Sequence, residues 1–174
     1  MYFSKFPKIA YDIDKTKNYK VVADIFRRIK IRDKILDNVS LYMKYQIQSG
    51  DTPETISFKH FGTPLYHWVI LITNNITDRF YGWPLDEVAF EKYVNDKYTN
   101  PLGTHHYEVA QSSGKTSSSD YSHLIQVDSS TSGATVVTNY EYERRLQDEK
   151  REIKLLDKKY LAAFVREFDK LVKL

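Results

Sequence analysis

Four sets of residues in this 174-residue sequence are of types that do chemistry. Ser112-Ser113-Gly114-Lys115-Thr116 ends like a phosphate-binding loop, in which backbone amides and a lysine cradle phosphate oxygens. That pattern requires a glycine at position 109, where Val109 stands, and its flanks here are polar loop, so no nucleotide site is expected. Five histidines, His60, His67, His105, His106 and His123, offer metal ligands. His60 and His67 are separated by a Gly-Thr-Pro break, however, and adjacent residues such as His105 and His106 point to opposite faces of a strand. They read as structural. The serines crowd a low-complexity loop and form no G-x-S-x-G elbow. Carboxylates pair within charged helical stretches, where solvated faces and i,i+4 partners explain them, while pairs between distant segments stay open. The expectation is no catalytic residue, no metal, no cofactor and no enzyme.

The composition bounds what the elements have to do. One ordinary domain fits 174 residues, or a small domain with extensions that pack on something else. Without cysteine there is no disulfide frame, thiolate zinc site or cysteine nucleophile. Fourteen tyrosines among 14% aromatic residues favour surfaces that are wet in one state and covered in another. No run of eighteen apolar residues predicts a membrane span, and the start of the chain does not read as a signal peptide. Charge is uneven: residues 1–34 carry ten Lys/Arg and four Asp, a balance of +6, leaving −3 for the rest. A solvated basic face and a contact for an acidic partner or nucleic acid are the two readings, and no known nucleic-acid module supports the last.

The elements follow from periodicity and punctuation. Residues 1–20 scatter Tyr2, Phe3, Phe6 and Tyr11 among Lys and Asp without helical period, which predicts an extended arm docking its aromatics on a neighbour. Leu41 to Gln48 alternates as a strand, with Tyr45 and Ile47 on one side. Thr52 as N-cap, Pro53 at the first position and Glu54 in the first turn predict a helix that ends at Gly62, and Thr63-Pro64 opens another reaching Asn74-Asn75. Trp83 and Pro84 punctuate the return, and Asp86 caps a third helix that ends near Asn100. Three short β runs between 105 and 138 predict a small antiparallel meander. In the C-terminal region REIKLL fits a strand, though one helix or a helix and a strand are both open for 140–157. Asp157 then caps a helix whose Tyr160, Leu161, Phe164, Val165, Phe168, Leu171 and Val172 form an apolar stripe that this protein or another must cover.

With Gly50-Asp51-Thr52, the Ile56 helix, Phe61-Gly62 and Asn74-Asn75 in place, residues 45–76 resemble a LysM module. That resemblance implies a β-α-α-β core and a glycan groove between two turns, which on this chain are Gly50, Asp51, Thr52 and Pro53 on one side and Asn74, Asn75 and Ile76 on the other. The sequence departs from glycan-binding modules where TDRFYGWPLDE replaces the usual final turn and strand. GDTPE, then YHWVILITNNI, then YGWPL, together with YFSKFPKIAYDI and YERRLQDEKREIKLLDKKYLAAF, resemble instead a baseplate wedge subunit of contractile-tailed bacteriophages that carries a LysM-like core.

The fold so implied is α+β, with an N-terminal arm and connecting segment (1–38), a LysM-like core (39–84), a helix and linker (85–103), a β meander (104–138) and C-terminal helices (139–174). The implied function is structural: clamping other wedge subunits and the sheath-initiator protein, and joining wedges into the baseplate ring of the virion. No nucleic acid or membrane is implied. Tyr2, Phe3, Phe6, Tyr11, Tyr160, Phe164, Phe168 and Leu171 are the candidate partner-packing surface. A LysM-type binder of peptidoglycan or N-acetylglucosamine is the alternative.

Overall fold

The computed structural model describes residues 3–27, 29–111 and 123–173. Tyr2 and the Ser112–Thr116 loop lie outside the described residues. In chain order the elements are β1 (Lys8–Tyr11), β2 (Lys20–Ala23), α1 (Asp33–Leu36), β3 (Tyr42–Gln46), α2 (Pro53–Phe61), α3 (His67–Thr73), α4 (Arg79–Gly82), α5 (Glu87–Lys97), β4 (Thr104–Ala110), β5 (Leu124–Val127), β6 (Thr135–Thr138), α6 (Asn139–Glu149), β7 (Glu152–Leu156) and α7 (Leu161–Lys173). The fold is α+β. The chain divides into two units, residues 1–83 with 152–174, and residues 84–151.

In the first unit β3 pairs antiparallel with β7, Tyr42 opposite Leu156 and Tyr45 opposite Ile153. The strand that closes the β-α-α-β core is therefore not found within 39–84 but arrives from 152–156. The physical reason lies in both segments. Asp78 accepts hydrogen bonds from the amides of Phe80 and Tyr81 and turns the chain into α4, so 77–84 cannot run extended. Ile153 and Leu155 alternate with Glu152 and Lys154, giving β7 one apolar face for the core. Thr52 and Thr55 form a reciprocal cap at the start of α2, and Gly62 ends it at φ 80°, a left-handed conformation that favours glycine.

Two clusters make this unit's core. Ile47, Ile56, Ile70, Trp83, Ile153 and Leu155 fill the space between the β3–β7 pair and the helices. Phe6, Trp68, Val69, Leu156, Phe168 and Val172 form the other, which joins both chain ends to α3. The N-terminus thus departs from the expected extended arm. Residues 8–23 fold back as a β1–β2 hairpin, with Ile9 opposite Val22, and Phe6 enters the core of its own unit.

The second unit holds a three-stranded sheet ordered β5-β4-β6, with α5 and α6. A meander would keep strands in sequence order; here the first strand is central. β5 pairs with Tyr107 to Ala110 and β6 with Thr104 to Glu108, so the chain after β5 has only to cross β4 rather than travel back along it. Among its described residues Phe90, Val94 and Val137 are buried, and Phe90 meets Tyr140 edge-on at 5.3 Å between ring centres.

Candidate functional site

Of the two turns expected to border a groove, one starts a helix and the other ends one. Thr52 caps α2, Pro53 is buried at its first position, and Gly50 takes φ 81° in the turn before them. At the other side α3 ends in a Schellman arrangement: Asn75 is left-handed at φ 53°, its amide donates to the Ile72 carbonyl, and the Ile76 amide donates to the Leu71 carbonyl. Asparagine is the residue after glycine that best tolerates this conformation, which explains its choice at 75.

Their polar atoms are already engaged. The Asp51 carboxylate accepts from Tyr45 Oη at 2.7 Å, Lys59 Nζ at 2.7 Å and the Gln48 amide at 3.0 Å. Burial alone would raise this carboxyl's pKa; the bonds from Lys59, Tyr45 and Gln48 outweigh it and hold the group below the usual range. The Asp51 carbonyl accepts from the Trp83 indole at 2.9 Å. Asn74 acts as a fragment of strand against β7, its amide donating to the Lys154 carbonyl and its oxygen accepting from the Lys154 amide, each at 2.8 Å. That clasp satisfies an edge that would otherwise be open.

The segment after α3 bridges the two turns. Arg79 pairs with Glu54 at 3.0 Å, Trp83 sits on Asp51, and Gly82 lies so close to Ile76 that a Cβ there would fall 2.8 Å from Ile76 Cγ2. Gly82 is therefore required by close approach rather than by backbone conformation. From the sequence this stretch reads only as a return punctuated by Trp83 and Pro84. The pair Gly82-Trp83 was the signal that it packs, since a lone glycine beside a tryptophan marks a tight contact next to a large buried ring.

The candidate partner-packing residues separate into two groups. Phe6 and Phe168 are core, not surface: the Trp68 ring lies 4.5 Å from Phe168 and Phe6 lies 6.3 Å from Phe168 between centres. Tyr160 and Phe164 are half-buried against the same cluster. The stripe on α7 is covered by its own chain because the N-terminus holds it there, Lys5 pairing with Asp169 at 2.7 Å and Arg27 donating to the Val172 carbonyl at 3.0 Å. Phe3, Tyr11 and Leu171 remain exposed. Among the described aromatic residues the largest exposures are those of Phe80 at 81%, Tyr81 at 79% and Phe26 at 78%. Between Phe3, Ile25, Phe26 and α3 lies an open cleft of about 680 Å³, floored by Trp68 and Ile72.

His60, His67 and His106 hold structure, while His105 and His106, expected on opposite faces of a strand, lie with their Nδ1 atoms 2.7 Å apart because the strand register shifts between Thr104 and His106. His60 Nε2 contacts the Leu156 carbonyl at 2.8 Å and His67 Nδ1 the Pro64 carbonyl at 2.9 Å. In the second unit His106 Nε2 meets Glu108 at 2.9 Å, and Arg145 reaches both oxygens of Glu108 at 2.8 and 2.7 Å. Among the described residues no group of three His, Asp or Glu is arranged for a metal, and no helix is long and apolar enough to cross a membrane.

A match to the family described as Base plate wedge protein 53 runs over residues 1–129, well over half of the chain. The chain belongs to that family. It is also similar to Baseplate wedge protein gp53 of Enterobacteria phage T4, 29% identical over 106 residues, which is 59% of this chain and 54% of that protein. The chain spans about half the length of this curated relative in the match. The wedge family is a structural component of the virion, in the phage tail baseplate. Both turns, the bridging segment and the hairpin lie inside the family match, whereas β7 and α7, which complete the first unit, lie beyond it.

Proposed function

We propose that this wedge protein is a non-catalytic clamp that binds other wedge subunits and the sheath-initiator protein and helps to join wedges into the baseplate ring. The observation that carries the reading is the bridge from 78 to 83 across the two turns of a LysM-like core. The Asp51 carbonyl and the Asn74 amide are the kinds of groups that would meet acetamido and hydroxyl groups of a sugar, and Trp83 and Lys154 occupy them. A glycan would have to displace an intramolecular bridge to reach them, which weighs against the peptidoglycan alternative. The first unit also offers exposed aromatic side chains to the outside: Phe26, Phe80 and Tyr81.

The test is hydrogen exchange on the protein alone and after co-purification with the wedge subunits of the same phage. Amides at 8–26 and 78–82 are expected to slow on assembly, while those of 161–173, already covered by Trp68, change little. Uniform exchange with and without partners would remove the clamp reading. Binding of N-acetylglucosamine oligomers with shifts at Asp51 and Asn74 would restore the glycan one.

A further inference from the structure

The β1–β2 hairpin is the part of the first unit that its own fold leaves unused. Among the described residues it is a two-stranded sheet with no third strand, and none of its strand residues is buried. A lone hairpin is marginal in water unless something packs on it. Yet its tip is built: Asp12 accepts from the amides of Thr16 at 3.2 Å and Lys17 at 2.7 Å, while Lys15 and Lys17 take left-handed conformations at φ 55° and 64°. A pre-set tip reduces what must be ordered on binding.

Its side chains define what it fits. Tyr11, Ile13, Tyr19 and Val21 are all exposed, Val21 at 71%. Lys8, Lys15, Lys17 and Lys20 lie among them, and none has an acidic partner within ion-pair distance among the described residues, unlike Lys5, Arg27 and Lys30 nearby. We propose that this hairpin is a docking prong for an acidic, apolar-patched surface on another baseplate protein, a statement that rests on the clamp reading. Four unpaired ammonium groups around tyrosines and aliphatics match a partner that supplies carboxylates around an apolar centre. A second copy of this chain is the poorer occupant, since a two-fold contact would set the same lysines against each other. Nucleic acid is poorer too: Asp14 at the tip faces solvent and there is no arginine on the hairpin to fork a phosphate.

The experiment uses the full chain co-expressed with the wedge subunits of the same phage. A photo-cross-linking residue at Tyr19 is expected to capture a partner peptide rich in Asp and Glu, and one at Val136 in the other unit to capture none of that peptide. Lys8→Glu/Lys20→Glu is expected to weaken co-purification on the order of tenfold, and Lys8→Gln/Lys20→Gln by less, with unchanged circular dichroism. Added salt should mimic the glutamine pair. If the wild-type chain binds its wedge partners and both variants bind equally, the prong is wrong and the clamp stands. If the wild-type chain binds none of them, both fall. Loss of association on nuclease treatment, or a dimer of the chain alone that the glutamate variant dissolves, overturns the prong in favour of nucleic acid or self-contact.

Discussion

The unit of residues 1–83 and 152–174 is closed by rings and aliphatics, whereas the unit of residues 84–151 is closed largely by ions. In the first, the side chains of Trp68, Phe168, Phe6 and Val172 meet in one apolar cluster with Lys5 and Arg27 only at its rim, and β3 and β7 pair segments more than a hundred residues apart. In the second, Glu143 is 1% exposed and its carboxylate takes hydrogen bonds from Lys97 at 2.7 Å and Tyr98 at 2.8 Å. Glu108 is held by Arg145 and His106, and Glu87 by Arg144. The difference teaches which perturbation each should feel. Apolar contact is lost by deleting volume, and ionic closure by removing a proton-sensitive charge or its counter-ion.

The largest expected effect is in the apolar unit. Trp68→Ala removes the ring on which both termini converge, and its cost is about 3–5 kcal/mol. Urea unfolding would show it, and amide exchange should rise across 161–173 and around Phe6 while α5 and α6 keep their protection. Equal loss in α5 and α6 would break the distinction between the units.

Next comes Lys97→Met. Glu143 would then stay buried with Tyr98 as its remaining close donor, at a cost of about 3 kcal/mol. The wild-type Glu143 pKa is pushed up by burial, yet the bonds from Lys97 and Tyr98 bring it below the ordinary carboxylate value. Without Lys97 that balance reverses. Opening of α5 and α6 in the variant should therefore become sensitive to pH nearer neutrality, as read by amide exchange. A variant with wild-type pH dependence would show that Lys97 is not the group that holds the charge.

Acid alone should separate the two units. Glu87, Glu108, Glu141 and Glu143 in the second unit all have lowered pKa values, against Asp51 in the first and Asp157 before α7. A carboxyl with a depressed folded value stabilises above its unfolded value, about 4.3 for glutamate, and that contribution is lost as pH falls through the folded value. Protection in 84–151 should thus decline ahead of protection in the apolar clusters between pH 5 and 2, roughly. The opposite order would overturn the assignment of ionic closure.

Much of this contrast was hidden from sequence, and the reason is the range over which each signal acts. Helix ends were legible because caps are local: Thr52-Pro53 with Gly62, Asp86, and Asp157 all stand where the structure puts them. The partner of the Tyr42–Gln46 strand was not, because no local pattern ties it to REIKLL more than a hundred residues later. Carboxylates in charged helical stretches read as solvated faces, yet Glu143 is buried, as is Gln147 four residues on along one side of α6. The readable hint was Tyr140 preceding them at helical spacing, a stripe whose members are large but polar. In the groove, the capping chemistry of Thr52 and Pro53 could be read directly, whereas the Trp83 contact to Asp51 needed the chain's path after α4.

The smallest effect offers the cleanest internal control, because each unit starts one of its helices with the same device. Thr52 caps α2 reciprocally with Thr55, and Thr138 caps α6 reciprocally with Glu141. Either threonine to alanine should cost about 1 kcal/mol at neutral pH. The two should diverge in acid. Thr55 answers with a hydroxyl that does not titrate, so the cost of Thr52→Ala stays level. Glu141 answers with a carboxylate whose pKa is lowered chiefly by the Thr138 amide and then by its hydroxyl, so the reciprocal bond weakens as pH falls through that depressed value. The Thr138→Ala penalty, measured by amide exchange at the first turn of α6, should therefore shrink with acid while the Thr52→Ala penalty at the first turn of α2 does not. Parallel behaviour of the two would mean that the charge on Glu141 adds nothing to the cap, and that the ionic character of this unit stops at its buried glutamates.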